Sequence, residues 1–308
     1  MVNDVSMSVD FAGIRLKNPL NTASGTFGSA QQFENFYDVS LLGAVTLKGA
    51  SAVPWEGNPQ PRMAEVFGGM LNSVGLTNPG VRGLVAESGA YLAGLASKGT
   101  AVICQVAGHS VEEYKEALVL FEELAPWASA FELNISCPNI AKGGAAMGST
   151  PEGAFEVVNA CRPLTKRPLI VKMGPVRVQE IARSCVDAGA NALSLINTIS
   201  AMSIDINTHK SRVARPTAGF SGPAIHPIAV RMAWEVCNAV DVPVCGIGGI
   251  TCGADAAEFL LVGCKAVSIG TENFVDPAAA VRILEELKDW ARSQGVSDIN
   301  ELIGAFEC

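Results

Sequence analysis

Phe131-Glu132-Leu133-Asn134-Ile135-Ser136-Cys137-Pro138-Asn139, followed by the loose run Ile140 to Gly148, decides how the chain is read. An apolar strand pattern over Ala130–Ile135 ends in Asn, Ser, Cys and Asn, and a loop containing Gly143, Gly144 and Gly148 follows. A strand that ends in polar side chains and then a glycine-rich loop is how a parallel barrel presents chemistry at the carboxyl ends of its strands. A thiol at that position can act as base or nucleophile. Taken alone, Cys137 reads more readily as a small buried side chain beside a turn, because free Cys is among the most buried residue types; the rest of the chain reverses that.

Seven further short apolar runs share that form: Pro19–Ala23, Gly43–Leu47, Thr100–Val106, Pro168–Met173, Ala190–Ile196, Val242–Ile247 and Lys265–Ile269. Helical patterns alternate with them. They span Ala30–Ser40, Gly80–Ala96, Ser110–Leu124 (opened by a Ser110/Glu113 capping box), Pro151–Cys161, Val176–Ala188, Ala224–Ala239, Ala254–Val262 and Pro277–Ser293. Eight strand–helix units predict a closed (β/α)8 TIM barrel, read as one domain over residues 1–308. Met7 to Leu16, turning at Ala12-Gly13, predicts a short N-terminal β-hairpin, and Asp298–Cys308 a last short helix. Two long connections, Gly49 to Asn78 and Thr198 to Pro223, follow strands and so belong to the catalytic face.

Composition narrows the function. Net charge is −8 with scattered basic residues, which speaks against nucleic acid as a partner. Nine cysteines, an odd number with no C-x-x-C spacing, argue against a disulfide framework, a zinc ribbon or an iron–sulfur cluster held by this chain alone. No metal site is indicated, and His109 and His209 read as loop histidines. An acidic N-terminus and the lack of any apolar run near ~20 residues predict a cytoplasmic protein with no membrane span.

The strand tips carry the chemistry. Gly246-Ile247-Gly248-Gly249 and Gly270-Thr271 end the last two strands, where such barrels cradle a phosphate on backbone N–H groups. Lys48 and Lys172 end apolar strands, where an ammonium needs an anion or an electron-rich ring. Together these features suit a flavin mononucleotide.

Seven motifs in order then carry a family resemblance. They are Ala23-Ser24-Gly25-Thr26-Phe27-Gly28, Glu56-Gly57-Asn58-Pro59-x-Pro61-Arg62, Gly69-Met70-Leu71-Asn72-Ser73-Val74-Gly75-Leu76-Thr77-Asn78-Pro79-Gly80, Asn134 to Asn139, Ile196-Asn197-Thr198, Ser221-Gly222-Pro223-Ala224-Ile225 and Gly270-Thr271-x-Asn273-Phe274. The chain resembles the catalytic subunit of class 1B dihydroorotate dehydrogenases over nearly its whole length. The resemblance implies oxidation of (S)-dihydroorotate to orotate in de novo pyrimidine biosynthesis, with Cys137 as general base and hydride transfer to FMN. It implies substrate contacts from Lys48, Asn72, Ser73, Val74, Gly75, Leu76, Asn134, Asn139, Asn197 and Thr198. FMN contacts are implied for Ser24, Lys48, Gly49, Asn134, Lys172, Ile196, Gly222, Gly248, Gly249, Gly270 and Thr271. It further implies a homodimer of this chain within a heterotetramer, whose electron-transfer subunit carries FAD and an iron–sulfur cluster and reduces NAD.

Gln105 stands where the family commonly has Asn near the flavin, and His226 where it commonly has Lys. Two other readings of the residues stay open: a dihydropyrimidine dehydrogenase-like flavin enzyme, and a flavin-free Schiff-base aldolase barrel using Lys172.

Overall fold

A computed structural model of the chain describes residues 5–136 and 147–307. The eight predicted apolar runs all form strands of one parallel sheet. They are β1 (Leu20–Thr22), β2 (Ala44–Thr46), β3 (Ala101–Val106), β4 (Ala130–Asn134), β5 (Leu169–Lys172), β6 (Ala192–Leu195), β7 (Val244–Ile247) and β8 (Ala266–Ile269). Every residue in them is buried. That is why they read as continuous apolar runs rather than alternating ones: both faces of each strand are covered.

Backbone ladders join the strands in the order β1-β8-β7-β6-β5-β4-β3-β2. The remaining seam, between β1 and β2, is closed by side chains. Asn21 Nδ2 donates to Thr46 Oγ1 at 2.8 Å, and Thr46 N donates to Thr22 Oγ1 at 3.3 Å. The result is the (β/α)8 barrel expected from the strand count.

The outer helices follow the predicted periodicities closely. Pro151–Cys161 begins and ends where expected, capped by Thr150 Oγ1 accepting from Gly153 N. Val111–Leu124 is capped by Ser110, whose hydroxyl accepts from Glu113 N. The reciprocal half of that capping box is displaced by one residue, with Glu113 Oε2 accepting from His109 N at 2.7 Å.

The helix expected over Ala30–Ser40 is absent. Two short 3₁₀ turns, Gln31–Asn35 and Val39–Leu41, stand there instead. Asp38 separates them, its carboxylate accepting from Ser40 N, the local side-chain bond that competes with a continuous helix. The tail likewise contributes only a 3₁₀ turn, Ile299–Leu302.

The N-terminal hairpin pairs Val9–Phe11 with Ile14–Leu16 and buries Val9, Phe11 and Leu16 against the main core. The two long connections are not irregular loops. They meet in a four-stranded antiparallel sheet ordered Ile199–Ala201, Ala218–Ser221, Gly69–Asn72, Met63–Val66. This sheet has its own small apolar cluster, with Leu71, Val213 and Ala218 at its centre. Among the described residues, no helix is long and apolar enough to cross a membrane.

Candidate active site

The strand tips of the barrel and the antiparallel sheet enclose a cavity of about 1030 Å³. The described residues assigned to substrate or FMN all line it, except Gly49. Gly49 follows the lining residue Lys48, and a Cβ on it would sit 2.6 Å from Oε1 of Gln105, which also lines the cavity. Cys137 and Asn139 lie outside the described residues. The chain reaches them from Ser136 and resumes at Met147; Ser136, Gly148 and Ser149 all line the cavity wall.

One end of the cavity is a glycine cradle. Gly248 and Gly249 have φ of +144° and +67°, and Gly222, from the antiparallel-sheet connection, has φ of +113°. A Cβ on Gly249 would lie 2.7 Å from His226 Cβ and 2.9 Å from Gly222 O, so only glycine allows these backbones to meet. Thr271 Oγ1 donates to Ser221 Oγ at 2.8 Å and joins the two sides. Bare backbone with adjustable hydroxyls is the usual receptor for a phosphate.

Elsewhere in the cavity wall, Lys172 terminates β5 with only 6% of its surface exposed. Its ammonium makes no hydrogen bond or ion pair with another described residue, and it faces the cavity. A buried cation without a partner is costly unless a ligand supplies the negative charge. Lys48 lines the same cavity at the tip of β2, held by its N–H donating to Gly28 O at 2.7 Å. A cavity of this volume with a glycine cradle and an uncompensated ammonium in its wall fits the phosphate and ring of FMN.

The floor is a chain of hydrogen bonds. Ser194 Oγ donates to Glu132 Oε2 at 2.6 Å, and Gln105 Nε2 donates to Glu132 Oε1 at 2.6 Å. Asn134 Nδ2 donates to Gln105 Oε1 at 3.2 Å, and Ser136 Oγ donates to Asn134 Oδ1 at 2.8 Å. Asn197 Nδ2 then donates to Ser136 Oγ at 2.5 Å, and Asn197 Oδ1 accepts from Thr198 N at 2.8 Å. Asn134 and Asn197, on β4 and after β6, are therefore fixed in rotamer by their neighbours. Sequence reasoning left Glu132, Ser194 and Ser136 without a role. A carboxylate in the middle of an apolar strand was the one signal available for Glu132.

The segment Asn72–Leu76 is clamped from outside the cavity. Asn58 Nδ2 donates to Ser73 O at 3.2 Å, and Arg62 Nε holds Asn58 O at 2.6 Å. Ser73 N donates to Arg62 O at 2.7 Å, so that N–H is already committed and is not a free donor toward a ligand. Asn72 itself sits opposite Gly219 in the antiparallel sheet and donates to Gly219 O at 3.3 Å. A Cβ on Gly219 would fall 2.1 Å from Thr198 Oγ1, so the missing side chain is what lets Thr198 reach this strand. Trp55 stacks on His109 with ring centroids 3.8 Å apart.

Comparison with known proteins decides the family. The family model described as dihydroorotate dehydrogenase matches residues 6–290. The chain belongs to the dihydroorotate dehydrogenase family. Among its relatives is the protein of Geotalea uraniireducens named dihydroorotate dehydrogenase B (NAD(+)), catalytic subunit, 47% identical over 97% of this chain and 98% of the relative. Proteins of the same name from Pelobacter propionicus and Geobacter sulfurreducens are each 46% identical, over 98% of this chain and 99% and 98% of their own lengths. A crystal structure of a dihydroorotate dehydrogenase from Eimeria tenella in complex with ferulenol superposes with a TM-score of 0.82 at 18% identity. It covers 98% of this chain and 89% of that one, and supports the fold. Dihydroorotate dehydrogenases are flavin enzymes, which agrees with the cradle and the buried ammonium.

Proposed function

We propose that this chain oxidises (S)-dihydroorotate to orotate in de novo pyrimidine biosynthesis, as the catalytic subunit of an NAD-linked dihydroorotate dehydrogenase. The observation that carries the reading is the placement of Lys172, Asn134, Asn197 and the Gly248-Gly249 cradle around one cavity, in a chain that shares nearly half its residues with catalytic subunits of that name.

FMN would be held by Ser24, Gly49, Ile196, Gly222, Gly248, Gly249, Gly270 and Thr271, with Lys48, Asn134 and Lys172 beside the ring. Bound there, FMN supplies a hydride acceptor for C6 of the substrate. The remaining steps belong to side chains of this chain. Cys137 takes the proton from C5, and the C5–H and C6–H electron pairs become the new double bond and the departing hydride. Asn72, Asn134, Asn139, Asn197 and Thr198 hold the planar ring and its carboxylate, with Ser73, Val74, Gly75 and Leu76 forming the wall beside it. An ordinary thiol ionises near 8.5, so Cys137 needs a cationic neighbour to act near neutral pH, and Lys48 is the group assigned to that role.

In the same reading the chain is one domain in the cytoplasm. It works as a homodimer within a heterotetramer, and its electrons pass to NAD through a partner subunit that holds FAD and an iron–sulfur cluster.

The test is anaerobic mixing of the flavin-loaded protein with dihydroorotate and, separately, dihydrouracil. Bleaching of the flavin by dihydroorotate alone is expected. Bleaching by dihydrouracil alone would overturn the substrate, and a protein that binds no flavin would overturn the whole reading. Cys137→Ala should retain FMN and slow reduction by about 10²–10⁴-fold; an unchanged rate would remove Cys137 from the chemistry.

A further inference from the structure

His226 is the first residue of the helix His226–Cys237 and is 9% exposed. Its Nδ1 lies 2.9 Å from Gly248 O. A carbonyl can only accept, so Nδ1 carries the proton, and in the neutral ring Nε2 presents a lone pair. Nε2 is buried and has no hydrogen-bond partner. It points at two carboxylates from the helix Gly253–Leu261: Glu258 Oε2 at 3.6 Å and Asp255 Oδ1 at 3.9 Å.

The surroundings hold these groups in place. Phe259 meets the imidazole edge-on at 5.4 Å between centroids. Asp255 Oδ2 accepts from Thr251 N and Thr251 Oγ1, both at 2.7 Å, and from Cys252 N at 3.1 Å. Its other oxygen, Oδ1, is left facing His226. None of the three side chains lines the flavin cavity.

We propose that His226, Asp255 and Glu258 form a binding site for a divalent transition-metal ion of the Zn²⁺ class, with water in the fourth position. One nitrogen and two carboxylate oxygens are a ligand set that Zn²⁺ accepts. The imidazole has the outer partner that metal-bound histidines use, an Nδ1–H donated to a backbone carbonyl. The spacing also separates this reading from a simple ion pair. A charged imidazolium hydrogen-bonded to a carboxylate closes to about 2.7–2.9 Å, whereas two ligands sharing a tetrahedral ion at ~2.0–2.2 Å stand about 3.3 Å apart. At 3.6 and 3.9 Å from Nε2, Glu258 Oε2 and Asp255 Oδ1 stand beyond the first distance, and the three ligand atoms all lie within 4.8 Å of one another, so side-chain adjustment alone brings them to the second. The same imidazole holds Gly248 O, so the ion would brace the phosphate cradle from behind. Sequence spacing gave no sign of it, because His226 and the acidic pair come from different helices.

The experiment uses the flavin-loaded full chain, stripped of metals with a chelator and titrated with Zn²⁺ by calorimetry. One ion per chain is expected, with binding weakened at least tenfold by Glu258→Gln and abolished by His226→Gln. Glu258 is on the surface, so Glu258→Gln tests the site without threatening the fold. Cys252→Ser should bind as the wild type does, and X-ray absorption of the zinc complex should show nitrogen and oxygen neighbours with no sulfur at about 2.3 Å. Three outcomes overturn the proposal: no stoichiometric Zn²⁺, binding indifferent to both Glu258→Gln and His226→Gln, or a sulfur ligand.

Discussion

Gln105 Nε2 donates to Glu132 Oε1 at 2.6 Å inside the barrel, while Gln105 Oε1 accepts from Asn134 Nδ2 at 3.2 Å. One amide thus connects a buried carboxyl group to a cavity-lining asparagine. The amide stands on β3 and both of its partners on β4, so it ties the two strands together across their inner faces. Replacing Gln105 with Met keeps the volume but strips Glu132 Oε1 and Asn134 Nδ2 of these hydrogen bonds. The expected cost is about 2–4 kcal/mol of stability, read from urea midpoints at constant m-value. Ser194→Ala removes one neutral donor and should cost about 1 kcal/mol. Equal, small effects for both would show that the amide bridges nothing of consequence.

Lys172 should separate stability from ligand binding. Its buried ammonium has no ion-pair partner among the described residues. Lys172→Met removes a charge that is costly in the unliganded chain, so the flavin-free protein should melt at the same temperature or higher. FMN affinity should fall at least tenfold, measured by fluorescence recovery on release. A destabilised apoprotein with undiminished flavin affinity would assign Lys172 to the scaffold instead.

Gly249→Ala should empty the cradle. The added Cβ meets His226 Cβ at 2.7 Å and Gly222 O at 2.9 Å, at a φ of +67°. FMN content after gel filtration should drop severalfold, with far-UV circular dichroism unchanged. Gly94→Ala is the matched control: it lies in the helix Gly80–Ser97 with nothing within 4 Å of its Cβ position. That change should raise stability by about 0.5–1 kcal/mol and leave flavin content alone.

Thiol reactivity should sort the cysteines by burial. Desolvation pushes the Cys161, Cys185 and Cys245 thiols up to about 12, and pushes Cys104 and Cys264 up as well. At pH 8 a thiol of pKa 12 is about one part in ten thousand thiolate, against roughly a quarter for an ordinary one. Iodoacetamide followed by peptide mass spectrometry should leave these five unmodified in the folded protein and label them after denaturation. Rapid alkylation of Cys245 in the native state would mean that the barrel interior opens.

The barrel was legible because its strands are covered on both faces, so eight apolar runs appear without periodicity and the helices between them show it plainly. Pro151–Cys161 matches its predicted bounds for a local reason, a Thr150 cap followed by Pro at the first turn. Ala30–Ser40 misled because its composition suits a helix while Asp38 diverts the backbone. The antiparallel sheet was missed for a different reason. Its strands Gly69–Asn72 and Ala218–Ser221 pair across a large sequence separation and are only four residues long, each containing a glycine, so neither announces a strand alone.

Local chemistry therefore determined, from the sequence alone, how many units the chain contains and which side chains stand at their tips. Burial and capping act over a few residues and leave their mark in the order of amino acids. The tertiary structure decided which tips face each other: Asn134 with Asn197 through Ser136, Gly249 against Gly222, His226 against Asp255 and Glu258. Those meetings depend on sheet closure and on contacts between distant segments, and no short-range pattern records them.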